Sequence, residues 1–411
     1  MNSNLRIIEH NKCRLCKSYN LEYIYNFGNL YISNYFNKED LDKGFKSPLE
    51  LVGCLNCSLV QLKHTAPYEL LYSDYYWYRS GVTNTMKNIL KHISVEAHSM
   101  TELIRGDVIL DIGANDGTLL KYFNTENNDY IRVGCEPAKN LKDELTTNCE
   151  IVINDYWDFD KFHFLVIEKG MPKAKIITAI GMFYDLEDPM KFIADIKLSL
   201  HENGIFIAQL MCLESMLEKN DLGNICHEHL EYYTYKSLIY LFEKNGLEIV
   251  KIEKNEVNGG SYKLFIKHYR NGSINYKENF NTSSILEFIN RINQSKTECV
   301  DFINQETSKG KKIYVYGAST KGNTILQYYG ITNKHIKFAA ERSPDKYNKF
   351  TVGSNIEIIS EEQARKDSPD YFLILPWSFV DEFIIREKEW ISRGGKFIIP
   401  LPEFRIYPSN D

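Results

Sequence analysis

Two pairs of cysteines constrain the fold of the first part of the chain more than any other feature. Cys13 and Cys16 form one Cys-x-x-Cys pair, and Cys54 and Cys57 form a second pair that begins 38 residues after Cys16. Two such pairs supply four thiolates at a spacing that closes a tetrahedron around zinc. Because four protein ligands leave no position for water, a structural zinc module is expected. Four buried or redox-active thiols are the alternative.

The chain as a whole is long and of average composition. Its 411 residues exceed one ordinary core, so two or three domains are expected. Hydrophobic residues make up 43% and charged residues 25%, as in globular proteins, and the net charge of -6 argues against nucleic acid as the main partner. No apolar run approaches the roughly 18 residues of a membrane span, and the first residues lack a signal core. We expect a cytoplasmic monomer without a membrane partner.

Alternating strand and helix patterns follow the zinc module. The predicted strands cover residues 107–113, 129–136, 150–154, 174–181, 204–211, 247–254 and 261–269. Helical patterns lie before and between them at 85–104, 117–123, 141–146 and 189–200. This alternation predicts a parallel sheet wound on both faces. The turn Asn258-Gly259-Gly260 predicts a hairpin that adds an antiparallel strand at the edge of the sheet.

A second alternating block follows a helical stretch at 283–307. It comprises the segments 312–317, 323–329, 336–341, 356–360, 371–375, 379–392 and 396–400. The block predicts a second, smaller doubly wound domain. The whole chain is therefore expected to be of the α/β class, with a zinc-binding module at 1–70, a central domain at 71–271 and a C-terminal Rossmann-like domain at 272–411.

The first predicted strand of the central domain ends in a glycine turn. Gly113 and Gly117 let this turn approach a ligand closely, and Glu136 ends the next strand, 23 residues after Gly113. An acid at that place binds a ribose hydroxyl pair, so the ligand should carry adenosine. The middle glycine of the dinucleotide fingerprint is missing, and Asp116 stands near the expected pyrophosphate position. A carboxylate repels phosphate and attracts cations, which favours S-adenosylmethionine over NAD. A glycine turn without a ligand is the alternative.

The segment His227-Glu228-His229 follows the fifth strand, in the region where doubly wound folds place their active sites. Two histidines with an acid between them could bind a metal, but they lack the i, i+4 spacing of a helical metal site. A general base is the better interpretation, because histidine titrates near neutral pH and a neighbouring carboxylate raises its basicity. A surface loop that happens to hold two histidines is the alternative.

Aromatic side chains crowd the junction between the zinc module and the central domain, beside Arg79-Ser80-Gly81. They are Tyr72, Tyr75, Tyr76, Trp77 and Tyr78. Clefts between domains are favoured ligand sites, so one or two of these rings are expected to contact a sugar or nucleotide. Core packing is the expected role of the others.

Five features in the same order resemble the three-domain sugar-nucleotide C-methyltransferases of deoxysugar biosynthesis, and they span essentially the whole chain. They are the paired cysteines, LDIGANDGTLL from Leu110, CHEHLEYY from Cys226, the turn Asn258-Gly259-Gly260-Ser261, and YGASTKGNTILQYYG from Tyr316. The resemblance implies a zinc-binding domain, a central class I methyltransferase domain that binds S-adenosylmethionine, and a C-terminal Rossmann-like domain that helps to bind the sugar nucleotide.

The resemblance also implies a reaction, namely methylation of C3 of a nucleotide-linked 4-keto-deoxysugar through an enolate. His229 is the implied base, with Glu228 beside it. Where the family often has tyrosine, two places before Glu228, this chain has Cys226. An O- or N-methyltransferase acting on a sugar nucleotide, and a non-catalytic sugar-nucleotide-binding protein, are the alternatives.

The site positions that the resemblance implies fall into three further groups. The additional catalytic positions are His227, Tyr76 and Tyr78. The cofactor-binding positions are Asp111, Gly113, Asn115, Asp116, Glu136, Gly181, Met182 and Phe183. The substrate-binding positions are Asn258, Gly259, Ser261, Lys321 and Asn323. Lys321 opens a predicted helix, so its charge and the helix N-terminus together could bind the diphosphate.

Overall fold

Three β-sheets and one strand pair organise the residues that the computed structural model describes, which are 5–71, 77–123 and 129–409. The N-terminal strands are β1 (Ile8–Glu9), β2 (Leu21–Tyr31), β3 (Tyr35–Phe36), β4 (Lys46–Cys54), β5 (Val60–Leu62) and β6 (His64–Thr65). β4 pairs antiparallel with β2 on one side and β5 on the other, and β1 pairs with β6. The predicted zinc module is thus a small antiparallel sheet.

The central part of the chain alternates strands and helices as predicted. Its elements are α1 (Asn84–Met100), β7 (Val108–Ile112), α2 (Thr118–Lys121), β8 (Ile131–Cys135), α3 (Lys142–Thr146), β9 (Ile151–Ile153), α4 (Phe159–Phe162), β10 (Ala174–Ile180), α5 (Pro189–Ser199), β11 (Leu200–Met211), α6 (Leu213–Glu218), β12 (Glu231–Tyr232), α7 (Tyr235–Lys244), β13 (Leu247–Asn255) and β14 (Ser261–His268). They build a seven-stranded sheet of order β13-β14-β11-β10-β7-β8-β9.

Five strands of this sheet, from β11 to β9, run parallel, which confirms the predicted doubly wound sheet. The hairpin lies differently from the prediction. β14 is antiparallel to both β11 and β13 and lies between them, so the antiparallel strand is one place inside the edge and β13 takes the edge. The turn is short enough to fold β13 back along the outer side of β14.

Local sequence explains why these elements form where they do. Strand β7 is buried along its whole length, as expected for a central parallel strand covered on both faces. Helix α1 begins after Thr83, whose hydroxyl accepts a hydrogen bond from the Met86 amide, and it buries Leu90, Ile93 and Ala97 at helical spacing. Helix α5 begins with Pro189 after the capping side chain of Asp188.

The C-terminal part forms a second sheet. Its elements are α8 (Thr282–Ser308), β15 (Ile313–Tyr316), α9 (Thr320–Tyr329), β16 (Phe338–Glu341), β17 (Phe350–Thr351), β18 (Glu357–Ser360), α10 (Glu361–Asp367), β19 (Tyr371–Ile374), α11 (Val380–Arg386), α12 (Lys388–Ser392), β20 (Lys396–Ile399) and β21 (Arg405–Tyr407). The sheet order is β21-β20-β19-β15-β16-β18-β17-β3. Its five inner strands, from β20 to β18, are parallel, as the alternating pattern predicts.

Two short strands join the three parts of the chain. β3, from the N-terminal part, pairs with β17 at the edge of the C-terminal sheet. β12, from the central part, pairs with β5 and extends the N-terminal sheet to four strands. Because β12 directly follows the H-E-H segment, this pairing fixes that segment against the zinc module. Within the described ranges, no helix has the length and apolarity needed to cross a membrane.

Candidate active site

The four cysteines of the N-terminal module form one cluster. Cys13 and Cys16 lie in the loop after β1, Cys54 ends β4, and Cys57 lies in the turn before β5. The Sγ atoms of Cys13 and Cys57 are 3.5 Å apart, those of Cys16 and Cys54 are 3.4 Å apart, and all four lie within 4.8 Å of one another. A tetrahedral zinc with Zn–S bonds of about 2.3 Å needs sulfur atoms about 3.8 Å apart. The donor set therefore fits the structural zinc of this module.

The two cysteine loops share the same backbone turn. The Lys17 amide donates to the Cys13 carbonyl over 3.0 Å, and the Ser58 amide donates to the Cys54 carbonyl over 2.9 Å. Lys17 and Ser58 both have positive φ, at 58° and 64°. Each loop thus folds its two thiols toward one point, as a zinc knuckle requires.

A cavity of about 410 Å³ opens at the carboxyl ends of β7, β8 and β10. Five of the predicted cofactor positions line it, namely Gly113, Asn115, Glu136, Gly181 and Met182, together with the predicted Tyr78. Further lining residues are Ser80, Ile112, Cys135, Pro137, Tyr156, Trp157, Ile180, Asp185, Leu186, Glu187, Asp188, Lys191, Phe192 and Asp195. Tyr72, Tyr75 and Tyr76 lie outside the described residues.

Glu136 is held in the cavity wall by two backbone donors. Its Oε2 atom accepts from the Asn115 amide over 3.0 Å and its Oε1 atom accepts from the Ala138 amide over 2.9 Å. Burial raises the pKa of Glu136, and these two hydrogen bonds oppose that shift. A fixed carboxyl at the end of β8 can bind the two hydroxyls of a ribose.

Three of the predicted cofactor positions do not line the cavity. Asp111 lies behind the wall and accepts from the Thr178 hydroxyl over 2.7 Å, and burial raises its pKa to about 7. Asp116 accepts from the Gly81 amide over 2.6 Å, which ties the segment before α1 to the glycine turn. Phe183 is fully buried in the core.

Two residues of the cavity lining each carry a buried polar atom without a hydrogen-bond partner, Asp185 at Oδ1 and Trp157 at the indole Nε1. An unpaired acceptor and an unpaired donor among the lining residues fit a polar ligand. The lining is also acidic, with five carboxyl groups (Glu136, Asp185, Glu187, Asp188 and Asp195) against a single Lys191. The unpaired polar atoms suit the hydrogen-bonding groups of an adenosine, and the acidic lining suits a positively charged sulfur. The cavity therefore fits S-adenosylmethionine.

Asp185 and Glu187 are not predicted from the sequence, because neither belongs to a recognisable motif. Both belong to the segment that follows β10. The one signal that points to them is general, because ligands of doubly wound folds bind at the carboxyl ends of the parallel strands.

His229 is buried next to Tyr184, in the segment after β10 that lines the cavity, and a hydrogen bond fixes its tautomer. Its Nδ1 atom donates to the Asn224 carbonyl over 2.7 Å, so the proton lies on Nδ1 and the lone pair on Nε2. Burial, followed by the nearby charge of Lys321, lowers the pKa of His229 to about 3. The Tyr184 ring packs edge-on against the imidazole, with centroids 4.5 Å apart. His229 is therefore a neutral imidazole at neutral pH. The prediction that a neighbouring carboxylate raises its basicity is wrong, because burial and the charge of Lys321 lower the pKa instead.

His227 is directed to the N-terminal module instead. Its Nε2 atom donates to the carbonyl of Ser47 in β4 over 2.9 Å. Burial lowers its pKa to about 4, so it too is neutral. The two histidines of the H-E-H segment thus have different partners.

Cys226, Glu228 and His229 come together, with ligand atoms within 4.8 Å of one another. Burial raises the pKa of Glu228 to about 7, and the charge of Lys321 opposes that shift. Lys321, at the start of α9, donates from Nζ to Asn224 Oδ1 over 2.5 Å. A residue of the C-terminal part thereby places a cation next to the acid and the imidazole.

Two of the remaining predicted substrate positions, Gly259 and Asn258, lie in the hairpin turn. Gly259, with φ of 91°, lies so close to Asp221 that a Cβ atom there would come within 2.6 Å of its Oδ2 atom. Asp221 in turn accepts from Asn224 Nδ2 over 2.8 Å, which links the hairpin turn to the H-E-H segment. Asn258 occupies the same turn with φ of 53°.

The side chains at two other predicted substrate positions, Ser261 and Asn323, form hydrogen bonds within the protein. The Ser261 hydroxyl donates to the Val257 carbonyl over 2.9 Å. Asn323 is buried, and its side chain bonds to Val352 and Ser354 within the C-terminal part.

Comparison with known proteins gives three family matches along the chain. A zinc binding domain family matches residues 13–72, a methyltransferase domain family matches 85–252, and a C-methyltransferase C-terminal domain family matches 256–402. The C-methyltransferase NovU of Streptomyces niveus is 26% identical over 416 aligned positions, covering 96% of each chain.

Among solved structures, an S-adenosylmethionine-dependent methyltransferase from Clostridium acetobutylicum is 10% identical, with a TM-score of 0.34 over 46% of this chain and 94% of its own. The mycolic acid cyclopropane synthase CmaA1, solved with S-adenosylhomocysteine, is 16% identical, with a TM-score of 0.32 over 45% of this chain and 69% of its own.

Proposed function

Because the chain is an S-adenosylmethionine-dependent C-methyltransferase with an N-terminal zinc-binding domain, we propose that it methylates C3 of a nucleotide-linked 4-keto-deoxysugar through an enolate. The observation that carries the proposal is the buried, neutral His229 with its lone pair on Nε2. The five sequence features shared with the sugar-nucleotide C-methyltransferases support the choice of substrate.

His229 removes the C3 proton in this proposal. The ketone at C4 acidifies that proton, and a neutral imidazole is the form that can accept it. The hydrogen bond from Nδ1 to the Asn224 carbonyl holds the ring while Nε2 takes the proton. The resulting imidazolium is unfavourable in a buried site unless an anion is near. Glu228, whose pKa of about 7 leaves it partly ionised at neutral pH, supplies that anion.

Lys321 stabilises the other product of this step. Removal of the C3 proton places negative charge on the C4 oxygen, and a cation close to that oxygen lowers the barrier. The ammonium of Lys321, held by Asn224 beside Glu228 and His229, is suited to this role. We therefore assign Lys321 to the keto oxygen, in addition to the diphosphate contact that the sequence suggests.

The bound cofactor supplies the electrophilic methyl group that the enolate carbon attacks. The chain's part in this step is to hold the cofactor at the ends of β7, β8 and β10, next to the segment that carries His229. Two backbone hydrogen bonds make this adjacency rigid, because the Leu230 and Glu231 amides both donate to the Tyr184 carbonyl, over 2.8 Å and 3.0 Å.

Exchange of the C3 hydrogen with solvent tests the proposal. A 4-keto-deoxysugar nucleotide is incubated with the enzyme in deuterated water, and deuterium at C3 is followed by NMR, with and without the cofactor. The variant His229→Asn keeps a donor for the Asn224 carbonyl but has no base, so both exchange and methyl transfer should fall roughly 100-fold or more.

His227→Gln is the matched control. A glutamine amide can still donate to the Ser47 carbonyl, so exchange and turnover should stay near wild type. Wild-type exchange in His229→Asn would place the base elsewhere. An enzyme that methylates a sugar nucleotide without any C3 exchange would be an O- or N-methyltransferase instead.

A further inference from the structure

The acids that line the cofactor cavity differ in whether the protein already satisfies them. Glu136 accepts from two backbone amides, at 3.0 Å and 2.9 Å. Glu187 accepts from the Thr65 hydroxyl over 2.6 Å and pairs with His10 Nε2 at 2.8 Å. Lys191 binds Asp195 over 2.5 Å, and its amide donates to Asp188 over 3.2 Å. In the described ranges, Asp185 is the acid of this lining whose buried oxygen has no partner.

A carboxyl oxygen shielded from water and left unpaired is unfavourable, so a position of this kind is expected to meet a ligand. Burial, together with the charges of Glu228 and Glu231, raises the pKa of Asp185, and Lys321 opposes that shift. A cation in the cavity would favour the ionised carboxylate and remove this cost.

The position of Asp185 selects which cation of the cofactor it meets. Asp185 directly follows Tyr184, whose ring lies against His229 and whose carbonyl accepts from Leu230 and Glu231. Asp185 is therefore on the side of the cavity that adjoins the H-E-H segment. The methyl group must leave on that side, so the sulfur that carries it lies there. The α-ammonium of the cofactor is at the other end of the methionine chain.

We propose that Asp185 binds the positively charged sulfur of S-adenosylmethionine and makes the site prefer this cation over the neutral thioether S-adenosylhomocysteine. The same preference releases the product, because the attraction disappears when the methyl group and the positive charge leave. This inference rests on the proposed function, because the H-E-H segment marks the side on which the methyl group leaves. Its test compares only the two forms of the cofactor, so it can fail while the assignment of the sugar substrate and the base holds.

Calorimetric titration of the full chain with each form of the cofactor tests the proposal. Loss of the carboxylate in Asp185→Asn should weaken S-adenosylmethionine by roughly tenfold or more, the scale of one close charge pair, and leave S-adenosylhomocysteine nearly unchanged. The ratio of the two affinities is the readout. Asp185→Glu keeps the charge and should keep more of the wild-type ratio than Asp185→Asn does.

Asp143→Asn is the matched control. It makes the same change of charge at an exposed position of α3 that does not line the cavity. Its affinity ratio should stay at the wild-type value. An unchanged ratio in Asp185→Asn, an equal loss for both ligands, or an equal shift in Asp143→Asn would each overturn the proposal. If Asp185→Asn does not fold, Asp185→Ser removes the same charge with a smaller side chain, and the same ratio decides.

Discussion

The two histidines of the H-E-H segment differ in their hydrogen-bond partners and not in their burial. His227 donates to Ser47, in a strand of the zinc module, whereas His229 donates to Asn224, in the same loop as itself. The first bond joins two parts of the chain, and the second only orients a ring beside the site. His227 is therefore expected to contribute to stability, and His229 to chemistry.

The pH dependence of stability should reveal the role of His227. Its pKa is about 4 in the folded state against 6.5 when exposed. A lowered pKa means that its contribution is fully present above pH 6.5 and is lost as the pH falls toward 4, by about 1.4 kcal/mol per pH unit. His227→Gln has no such group. Denaturant unfolding from pH 7 to 4.5 should therefore show wild type losing more stability than the variant.

The comparison of wild type with His227→Gln isolates the contribution of this one histidine to the pH dependence of the unfolding free energy. Buried carboxyls with raised pKa values, such as Glu228, give the opposite slope, because the folded state holds their protons more tightly. They are the same in both proteins and cancel in the difference. A difference in unfolding free energy that stays constant with pH would contradict a neutral, buried His227.

Glu136 offers a second test at a single residue. Its carboxylate is fixed by two backbone amides at the end of β8, and it lines the cofactor cavity. Glu136→Ala should weaken S-adenosylmethionine and S-adenosylhomocysteine equally, by about 1.5–3 kcal/mol, because both carry the same ribose. Calorimetric titration measures this. Unchanged affinity would mean that another group binds the ribose.

At the level of secondary-structure elements, the sequence predicts what is local. Strands β7 to β11 and helix α8 follow from apolar runs, helical periodicity and turn residues, and the zinc cluster follows from cysteine spacing. The pairing of β12 with β5 and of β3 with β17 does not follow. These strands are two residues long, so they carry no periodic pattern, and their partners lie far away in the chain. Asp185 is missed for a similar reason, because only the fold brings it to the cavity.

The zinc module is also connected to the cofactor cavity through its side chains. The guanidinium of Arg14, next to Cys13, donates to the Leu62 carbonyl and to the Thr65 hydroxyl. Thr65 then donates to Glu187 in the cavity wall, over 2.6 Å. Loss of zinc would free the loop that carries Arg14 and would loosen this wall.

Removal of the zinc should therefore weaken cofactor binding as well as the module itself. Cys54→Ser is expected to lower the zinc content from about one per chain to near zero, to lower the melting temperature and to weaken S-adenosylhomocysteine several-fold. Metal analysis, thermal unfolding and calorimetry measure the three effects.

Cys299→Ser is the control, because it replaces a buried thiol of α8 that does not belong to the cluster. It should keep its zinc and its cofactor affinity. Wild-type affinity in zinc-free Cys54→Ser would show that the module is independent of the cavity. A zinc content of two per chain would indicate a second metal site, for which Cys226, Glu228 and His229 are candidate ligands.

The molecule as a whole is held together by contacts that cross between its parts. β12 completes the N-terminal sheet, and β3 completes the C-terminal sheet. The Tyr35 hydroxyl donates to the Ala318 carbonyl over 2.6 Å, just before α9. Since α9 begins with the segment that carries Lys321, this bond joins the N-terminal module to the cation to which the proposed reaction assigns a role. The three parts are therefore expected to unfold together.

Gln327 provides the sharpest test of this cooperativity. Its side chain, on α9, accepts from the Tyr31 amide over 2.8 Å and donates to the Tyr31 carbonyl over 3.0 Å, so it joins the C-terminal part to the end of β2. Gln327→Ala should cost about 1–3 kcal/mol for two lost hydrogen bonds. In scanning calorimetry, wild type should unfold in one transition, and the variant should unfold at a lower temperature. Gln363→Ala loses only an exposed contact with Asp367 within α10 and should melt like wild type. Two separate transitions in wild type, or an unchanged melting temperature in Gln327→Ala, would show that the parts are stable independently and that the position of Lys321 does not depend on the zinc module.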